Sequence, residues 1–439
     1  MSIETELRVA LVSLGCPKNL VDSEKMLADL AAGGCVVGAP MDQADVIVIN
    51  TCGFLSAARD ESLAVISEAV QQKTRGPARR VVVAGCLATR DADKLYDLAP
   101  GVDAVVGVND RGEILSAVRG AGQHTVVTPY RGGVAIDAGR FRLTPPHTGY
   151  LRIAEGCDQR CTFCTIPDIR GPFRSKTPET VLAEAQELVD SGCFEVNVIA
   201  QDTTSYGLDL DEEVDLADLL KSLDEVVPGW VRLLYAYPQR FSDKLIDTIA
   251  GAEHIVPYVD LPLQHISDPV LKRMGRNVTR AETEALLDKI RETIPGVVLR
   301  TTFIVGFPGE TDAQFQELLE FVDDFAFDAL GVFEYSPEEG TPAAGLEDRI
   351  PNEVKAQRAQ QVMLTQQQIA FENNDAMMNQ PIQVLVDGID DQGRCVGRHY
   401  GQAPEIDSVC FLTQPVDEGA FIRTTVVGYD GYDLIVAPE

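Results

Sequence analysis

Cys157, Cys161 and Cys164 lie in the run Glu155-Gly-Cys-Asp-Gln-Arg-Cys-Thr-Phe-Cys-Thr165, a C-x3-C-x2-C spacing. Three thiolates in so short a loop can grip three corners of an iron–sulfur cube, because such clusters are held by cysteine. No fourth cysteine follows nearby to close a four-cysteine site. The fourth iron is then open to bind and activate a small molecule. A zinc knuckle is the competing reading. Structural zinc wants four ligands, and the nearest upstream histidine, His147, stands ten residues before Cys157.

Three more cysteines are placed by the elements around them. Residues 7–15, 45–50 and 80–85 are apolar runs that read as buried strands, and Cys16, Cys52 and Cys86 each follow one. A fourth such run covers 103–107, and helical patterns separate them, so a parallel α/β sheet is expected. Ligands bind outside the carboxyl ends of such strands. Three cysteines there can converge on a second cluster, against the plainer reading of small apolar residues packed near a sheet end.

The chain has 439 residues with 45% hydrophobic content, enough for two or three domains. No run approaches the roughly 18 apolar residues a membrane span needs. The opening Met-Ser-Ile-Glu-Thr-Glu-Leu-Arg lacks the layout of a signal peptide, so a cytoplasmic location is expected. Ten cysteines in a reducing compartment point to metal or catalysis, not to disulfides. The net charge of −31 disfavours a phosphate backbone as partner and suits a basic protein.

The expected organisation is an N-terminal domain over 1–125, a Gly- and Pro-rich linker over 126–146, a partial (β/α)6 barrel over 147–350, a helical strut over 351–378 and a small antiparallel β-barrel over 379–439. In the central barrel, loops after the strands carry function. Gln201 and Asp202 follow the second strand and could bind a cofactor's polar groups, or simply cap a helix. Gly306 after the fifth strand permits close backbone approach. Arg300, within that strand, needs an anion, either a cofactor carboxylate or a structural partner. His265, after the fourth, is a candidate proton carrier or a structural histidine.

The three-cysteine loop, with aromatic Phe163 before the last cysteine, resembles that of the radical S-adenosylmethionine (SAM) enzymes. In those enzymes the open iron chelates SAM, and reductive cleavage yields a 5′-deoxyadenosyl radical. The whole chain resembles the radical-SAM methylthiotransferases: a three-cysteine domain, a radical-SAM barrel and a terminal TRAM barrel. Gly15-Cys-Pro-Lys-Asn-Leu-Val-Asp-Ser-Glu24 and Gln402-Ala-Pro-Glu-Ile-Asp407 are similar to the branch acting on a ribosomal protein.

The resemblance implies methylthiolation of an aspartate β-carbon in small-subunit ribosomal protein twelve, free or in the subunit. It implies one 4Fe-4S cluster on Cys157, Cys161 and Cys164 that binds SAM, and an auxiliary 4Fe-4S cluster on Cys16, Cys52 and Cys86. A reducing electron donor and a sulfur source are further partners. Arg170 and Arg174 are candidate clamps for the substrate carboxylate. Transfer-RNA adenosine methylthiolation is the alternative reaction, and a noncatalytic iron–sulfur or RNA-binding adaptor the alternative class. Residues 379–439 hold three arginines against ten acidic residues, a net of −7, which disfavours RNA.

Overall fold

The computed structural model describes residues 6–130 and 132–439. Most of the segment read for a signal peptide, residues 1–5, and Arg131 of the linker lie outside the described residues. The N-terminal sheet comprises β1 (Arg8–Ser13), β2 (Val36–Val37), β3 (Val46–Thr51), β4 (Arg80–Gly85), β5 (Ala104–Val106) and β6 (His124–Val126), ordered β2-β1-β3-β4-β5-β6 and parallel throughout. β3 and β4 are buried along their whole length, as a sheet covered on both faces requires. β2 and β6, of two and three residues, are too short to leave a readable pattern in the sequence. β1, β3 and β4 are neighbours, and strands sit about 4.8 Å apart. Strand order alone therefore draws Cys16, Cys52 and Cys86 toward one point.

The central domain holds β7 (Thr148–Arg152), a short β8 (Ala154–Glu155) paired antiparallel with β9 (Arg174–Ser175), then β10 (Glu195–Ile199), β11 (Trp230–Leu233), β12 (Ile255–Asp260), β13 (Val298–Val305) and β14 (Ala329–Glu334). Six of these form a parallel sheet, β14-β13-β12-β11-β10-β7, the expected six-stranded partial barrel. Its outer face packs Leu151, Val198, Leu233, Val259 and Phe303 against helix residues such as Leu188, Leu220, Ile246 and Leu318. Its inner face is completed by other domains. Tyr150, Ile199, Leu234 and Tyr258 pack with Val21 of the N-terminal helix α1 (Pro17–Ala32) and with Ala403 of the C-terminal domain.

The C-terminal barrel is closed, in the order β15 (Pro381–Ile389), β16 (Cys395–Arg398), β17 (Cys410–Leu412), β19 (Asp433–Pro438) and β18 (Phe421–Asp430). The sequence suggests four antiparallel strands here. β17 is the fifth, and it pairs parallel with β19. An odd number of strands cannot close with antiparallel pairs alone, so one parallel pair is a consequence of the count. Helix Asn352–Met377 links the two barrels. Its Val362 and Ile369 sit in the central core, and its Asn374 donates to the Gly431 carbonyl at 3.2 Å.

The loop between β16 and β17 enters the central barrel. Arg232 donates to the Tyr400 carbonyl at 2.6 Å, and Tyr258 donates to Asp407 at 2.6 Å. Glu195 accepts ion pairs from Arg232 at 2.8 Å and from Arg398 at 2.7 Å, all three side chains being buried. Burial raises the Glu195 pKa, but the two guanidinium groups outweigh it and hold the group below its ordinary value. Glu195→Ala leaves two buried cations short of a partner and is expected to lower stability by about 3–5 kcal/mol. Urea denaturation of the purified variant measures this, and a loss below about 1 kcal/mol would mean the pairs are effectively solvated.

Candidate functional site

Each cysteine of the first triad has a glycine beside it, and none of those glycines has room for a side chain. A Cβ on Gly15 would stand 2.9 Å from Cys52 Cβ. On Gly53 it would meet the Leu87 nitrogen at 2.7 Å, and on Gly85 the Asn50 Oδ1 at 2.2 Å. Gly15 and Gly85 also have φ of +92° and +93°, where glycine is favoured. The three strand-end turns thus pack directly on one another, Gly15 against Cys52, Gly53 against Leu87, and Gly85 against Asn50 and Thr51.

Asn19 ties the turns together. Its Nδ2 donates to the Leu14 carbonyl at 2.8 Å and the Thr51 carbonyl at 3.0 Å, and its Oδ1 lies 3.8 Å from Cys86 Sγ. Cys16 is the N-cap of α1. Burial pushes the Cys86 thiol up to about 12; coordination to a metal would ionise it outright.

The second triad leaves β8. Gly156, at φ +79°, would put a Cβ 2.1 Å from the Pro172 carbonyl, so the turn into Cys157 admits only glycine. Thr162 anchors the loop, its N–H donating to the Met274 carbonyl at 2.9 Å and its Oγ1 to the Arg273 carbonyl at 2.8 Å. Phe163 packs edge-on against Phe307, with ring centroids 6.4 Å apart. Backbone N–H groups meet the sulfurs: Ile166 donates to Cys164 at 3.4 Å, and Gln159 donates to Cys157. Burial pushes Cys157 and Cys164 up to about 12. Arg276 reaches Cys161 Sγ at 3.9 Å and stacks on Tyr237.

Among the described residues no three His, Cys, Asp or Glu side chains crowd one point tightly enough for a single metal ion. The all-sulfur donor sets of both triads suit iron–sulfur clusters, which are held by cysteine thiolates. The N–H donors and the nearby guanidinium groups suit the negative charge of a thiolate-bound cluster.

Arg170 spans the two triads. Its Nη2 donates to Cys86 Sγ at 3.3 Å and Asn19 Oδ1 at 2.9 Å. Its Nη1 donates to Asp22 at 2.8 Å and to Glu155, two residues before Cys157, at 3.3 Å. Asp22 also pairs with Arg111 and Arg152, and Asp137 with Arg111, Arg152 and Lys176. The loop after β11 faces both triads. The Tyr235 phenol is raised by burial and then by Cys16, and the Tyr237 phenol by burial, with Arg276 opposing and Cys161 adding to the rise. Tyr235 has φ +61°, rare for a bulky residue, and its N–H donates to Asp260 at 2.9 Å.

The other expected site residues are placed unevenly. Asp202 accepts from Gln159 of the cysteine loop at 3.0 Å. Gln201 donates to Glu155 at 2.7 Å and leaves its buried Oε1 without a partner among the described residues, an acceptor suited to a cofactor's amino group. Arg170 is not a free clamp, because its guanidinium is engaged by the protein's own groups. Arg174 is held by the carbonyls of Gly133, Arg170 and Pro172 and stacks on Tyr130.

Arg300 is a correction. It pairs with Asp260 at 2.9 Å and Asp407 at 3.3 Å, at the seam with the C-terminal barrel. It is the third residue of an eight-residue strand, so the backbone rise leaves it roughly 15 Å below the strand's carboxyl end. Gly306 is another. A Cβ there would meet Lys355 Cγ at 2.1 Å, so the approach it permits is to the strut helix. His265 is buried, its Nδ1 accepting from the Ser267 N–H at 3.0 Å. Lys18, Asn19, Tyr235 and Tyr237 were missed as site residues, although the first two stand in the cysteine motif and the tyrosines in a strand-end loop.

A partial barrel carrying an open three-cysteine loop, joined to the N-terminal triad of Cys16, Cys52 and Cys86 and to a closed terminal barrel, is the architecture of a radical-SAM enzyme. The Radical SAM superfamily profile matches residues 151–322, that of the uncharacterized protein family UPF0004 residues 8–107, and that of the TRAM domain residues 380–438. The chain is 44% identical over 437 residues to the ribosomal protein uS12 methylthiotransferase RimO of Pelotomaculum thermopropionicum, covering 98% of each. It is 42% identical to that of Geobacter sulfurreducens, again covering 98% of each. The chain belongs to the RimO family of methylthiotransferases. In fold it is similar to the radical SAM methyltransferase TsrM of Kitasatospora setae, with TM-score 0.55 at 16% identity, covering 77% of this chain and 74% of that one.

Two outcomes test this geometry. Gly85→Ala should cut the iron bound on anaerobic reconstitution by roughly half, the share of one of two four-iron clusters, with the second triad still loaded. Iron assay with Mössbauer spectroscopy reads this, and full loading would dismiss the packing argument. Burial lowers the His265 pKa to about 3. The unfolded chain therefore binds a proton that the folded one refuses, and stability falls as pH drops from about 6.5 toward 3. His265→Gln should flatten that decline in denaturation curves taken between those limits.

Proposed function

We propose that this protein methylthiolates the β-carbon of an aspartate in ribosomal protein uS12. The carrying observation is the meeting of two cysteine triads across one buried seam, with Arg170 touching Cys86 on one side and Glu155 beside Cys157 on the other. Cys157, Cys161 and Cys164 hold the SAM-binding 4Fe-4S cluster, and Cys16, Cys52 and Cys86 hold the auxiliary one. When bound, these groups and SAM supply the radical that removes a β-hydrogen and the sulfur that replaces it, chemistry no acid–base residue offers for an unactivated C–H bond.

The chain's own residues position and shield. Gln201 and Asp202 buttress the SAM-side loop, and Arg170 and Asn19 fix the auxiliary side. Val21 and Ala403 pack the barrel interior and exclude water there. A reductant and a sulfur donor are required partners. No helix among the described residues is long and apolar enough to cross a membrane.

The terminal barrel supports a protein substrate over RNA. Arg398 is turned inward onto Glu195 and Asp387, while the exposed Arg394 is paired with Asp390. With ten acidic residues against three arginines over 379–439, the domain suits a basic ribosomal protein. Mass spectrometry of ribosomal peptides and transfer-RNA nucleosides from a deletion strain decides the matter. The uS12 peptide should lose the mass of a methylthio group, while nucleosides stay unchanged; loss on adenosine would overturn the assignment.

A further inference from the structure

The cations around the two triads are nearly all answered by protein groups. Arg152 and Arg170 share Asp22 and Glu155. Arg300 has Asp260 and Asp407. Arg276 has no carboxylate partner among the described residues, but it donates to the Pro262 carbonyl at 2.7 Å and stacks on Tyr237 beside Cys161.

Lys18 is the exception. It is only 7% exposed, and among the described residues its ammonium has no hydrogen bond or ion pair. Its ammonium lies over the face of Tyr235, 3.1 Å from Nζ to the ring centroid, with Cys16, Arg170, Asp260 and Glu155 near enough to act on its charge. A ring quadrupole attracts a cation but leaves its N–H donors unused, and a buried charge without a hydrogen-bonding anion is costly. Such a charge is expected where an anion arrives with a ligand. The position is apt. Lys18 lies two residues past Cys16 at the start of α1, and Tyr235 caps the barrel strand beside Asp260. An anion on Lys18 therefore lies between the auxiliary side and the mouth of the SAM-binding barrel.

We propose that Lys18 receives the carboxylate of the target aspartate and so presents its β-carbon to both triads. The inference rests on the reading of an aspartate side chain as substrate. Arg170, the candidate the sequence offers for this role, is already engaged; Lys18 makes no hydrogen bond among the described residues.

The test is a charge-coupling cycle on the reconstituted full-length enzyme. Peptides spanning the uS12 target loop carry Asp or Asn at the target, and binding is read by fluorescence anisotropy with iron content as the folding control. Lys18→Met keeps length and removes charge. It should weaken the Asp peptide about thirtyfold and leave the Asn peptide unaffected, while Lys18→Arg recovers part of the loss. Should Lys18→Met lose its iron, Lys18→Gln and Lys18→Arg carry the same comparison.

Equal losses on both peptides, or none on either, overturn the proposal. So does a variant that binds both peptides normally but loses SAM cleavage without peptide, which would assign the carboxylate to SAM. If the wild-type enzyme fails to methylthiolate the Asp peptide, the functional reading itself falls. If it succeeds and Lys18 is indifferent, only the Lys18 assignment falls.

Discussion

A buried guanidinium has to be surrounded by acceptors, and Arg170 finds them in two domains at once. Asp22 comes from α1, Glu155 from the strand before the second cysteine loop, and Cys86 from the turn after β4. The carboxylates in turn need cations, and Arg111, Arg152 and Lys176 supply them through Asp22 and Asp137. Desolvation makes such a network close to all-or-none, because removing one member strands its neighbours in a medium of low dielectric. The two triads are therefore held as one unit. Chemistry that must bring a radical and a sulfur to the same carbon depends on that separation being constant.

The central barrel relies on its neighbours in another way. Six strands do not close, so the inner face needs outside material. Val21 enters from the N-terminal domain, and the loop with Ala403 and Asp407 enters from the C-terminal one. The same insertion turns Arg398 inward. One packing requirement thus fills the barrel and strips the terminal domain's surface of a cation. The acidity that favours a basic protein partner is partly a result of how the domains interlock.

The placement of the six cysteines on the fold was legible in the sequence. The C-x3-C-x2-C loop is local, and Cys16, Cys52 and Cys86 were legible as strand-end residues because apolar runs mark where strands stop. The layout of three domains was equally readable from periodicity. For Arg300 the sequence left a cofactor carboxylate and a structural partner open, and the fold shows the latter, because a strand reveals which residues share a face but not how deep each lies beneath the loop. Gly306 was misread because a glycine announces a close approach without naming what approaches; here it is Lys355, about fifty positions later.

The sequence by itself determined which atoms can bind iron and which strand ends carry them, since cysteine chemistry and hydrophobic period are properties of short segments. The tertiary structure decided which charges remain free. Arg170, Arg174 and Lys18 look alike as isolated cations, and only the fold shows Arg170 ringed by acceptors, Arg174 held by carbonyls and Lys18 resting on an aromatic face. Electrostatic pairing in a buried seam is set by residues more than a hundred positions apart, and no local pattern encodes it.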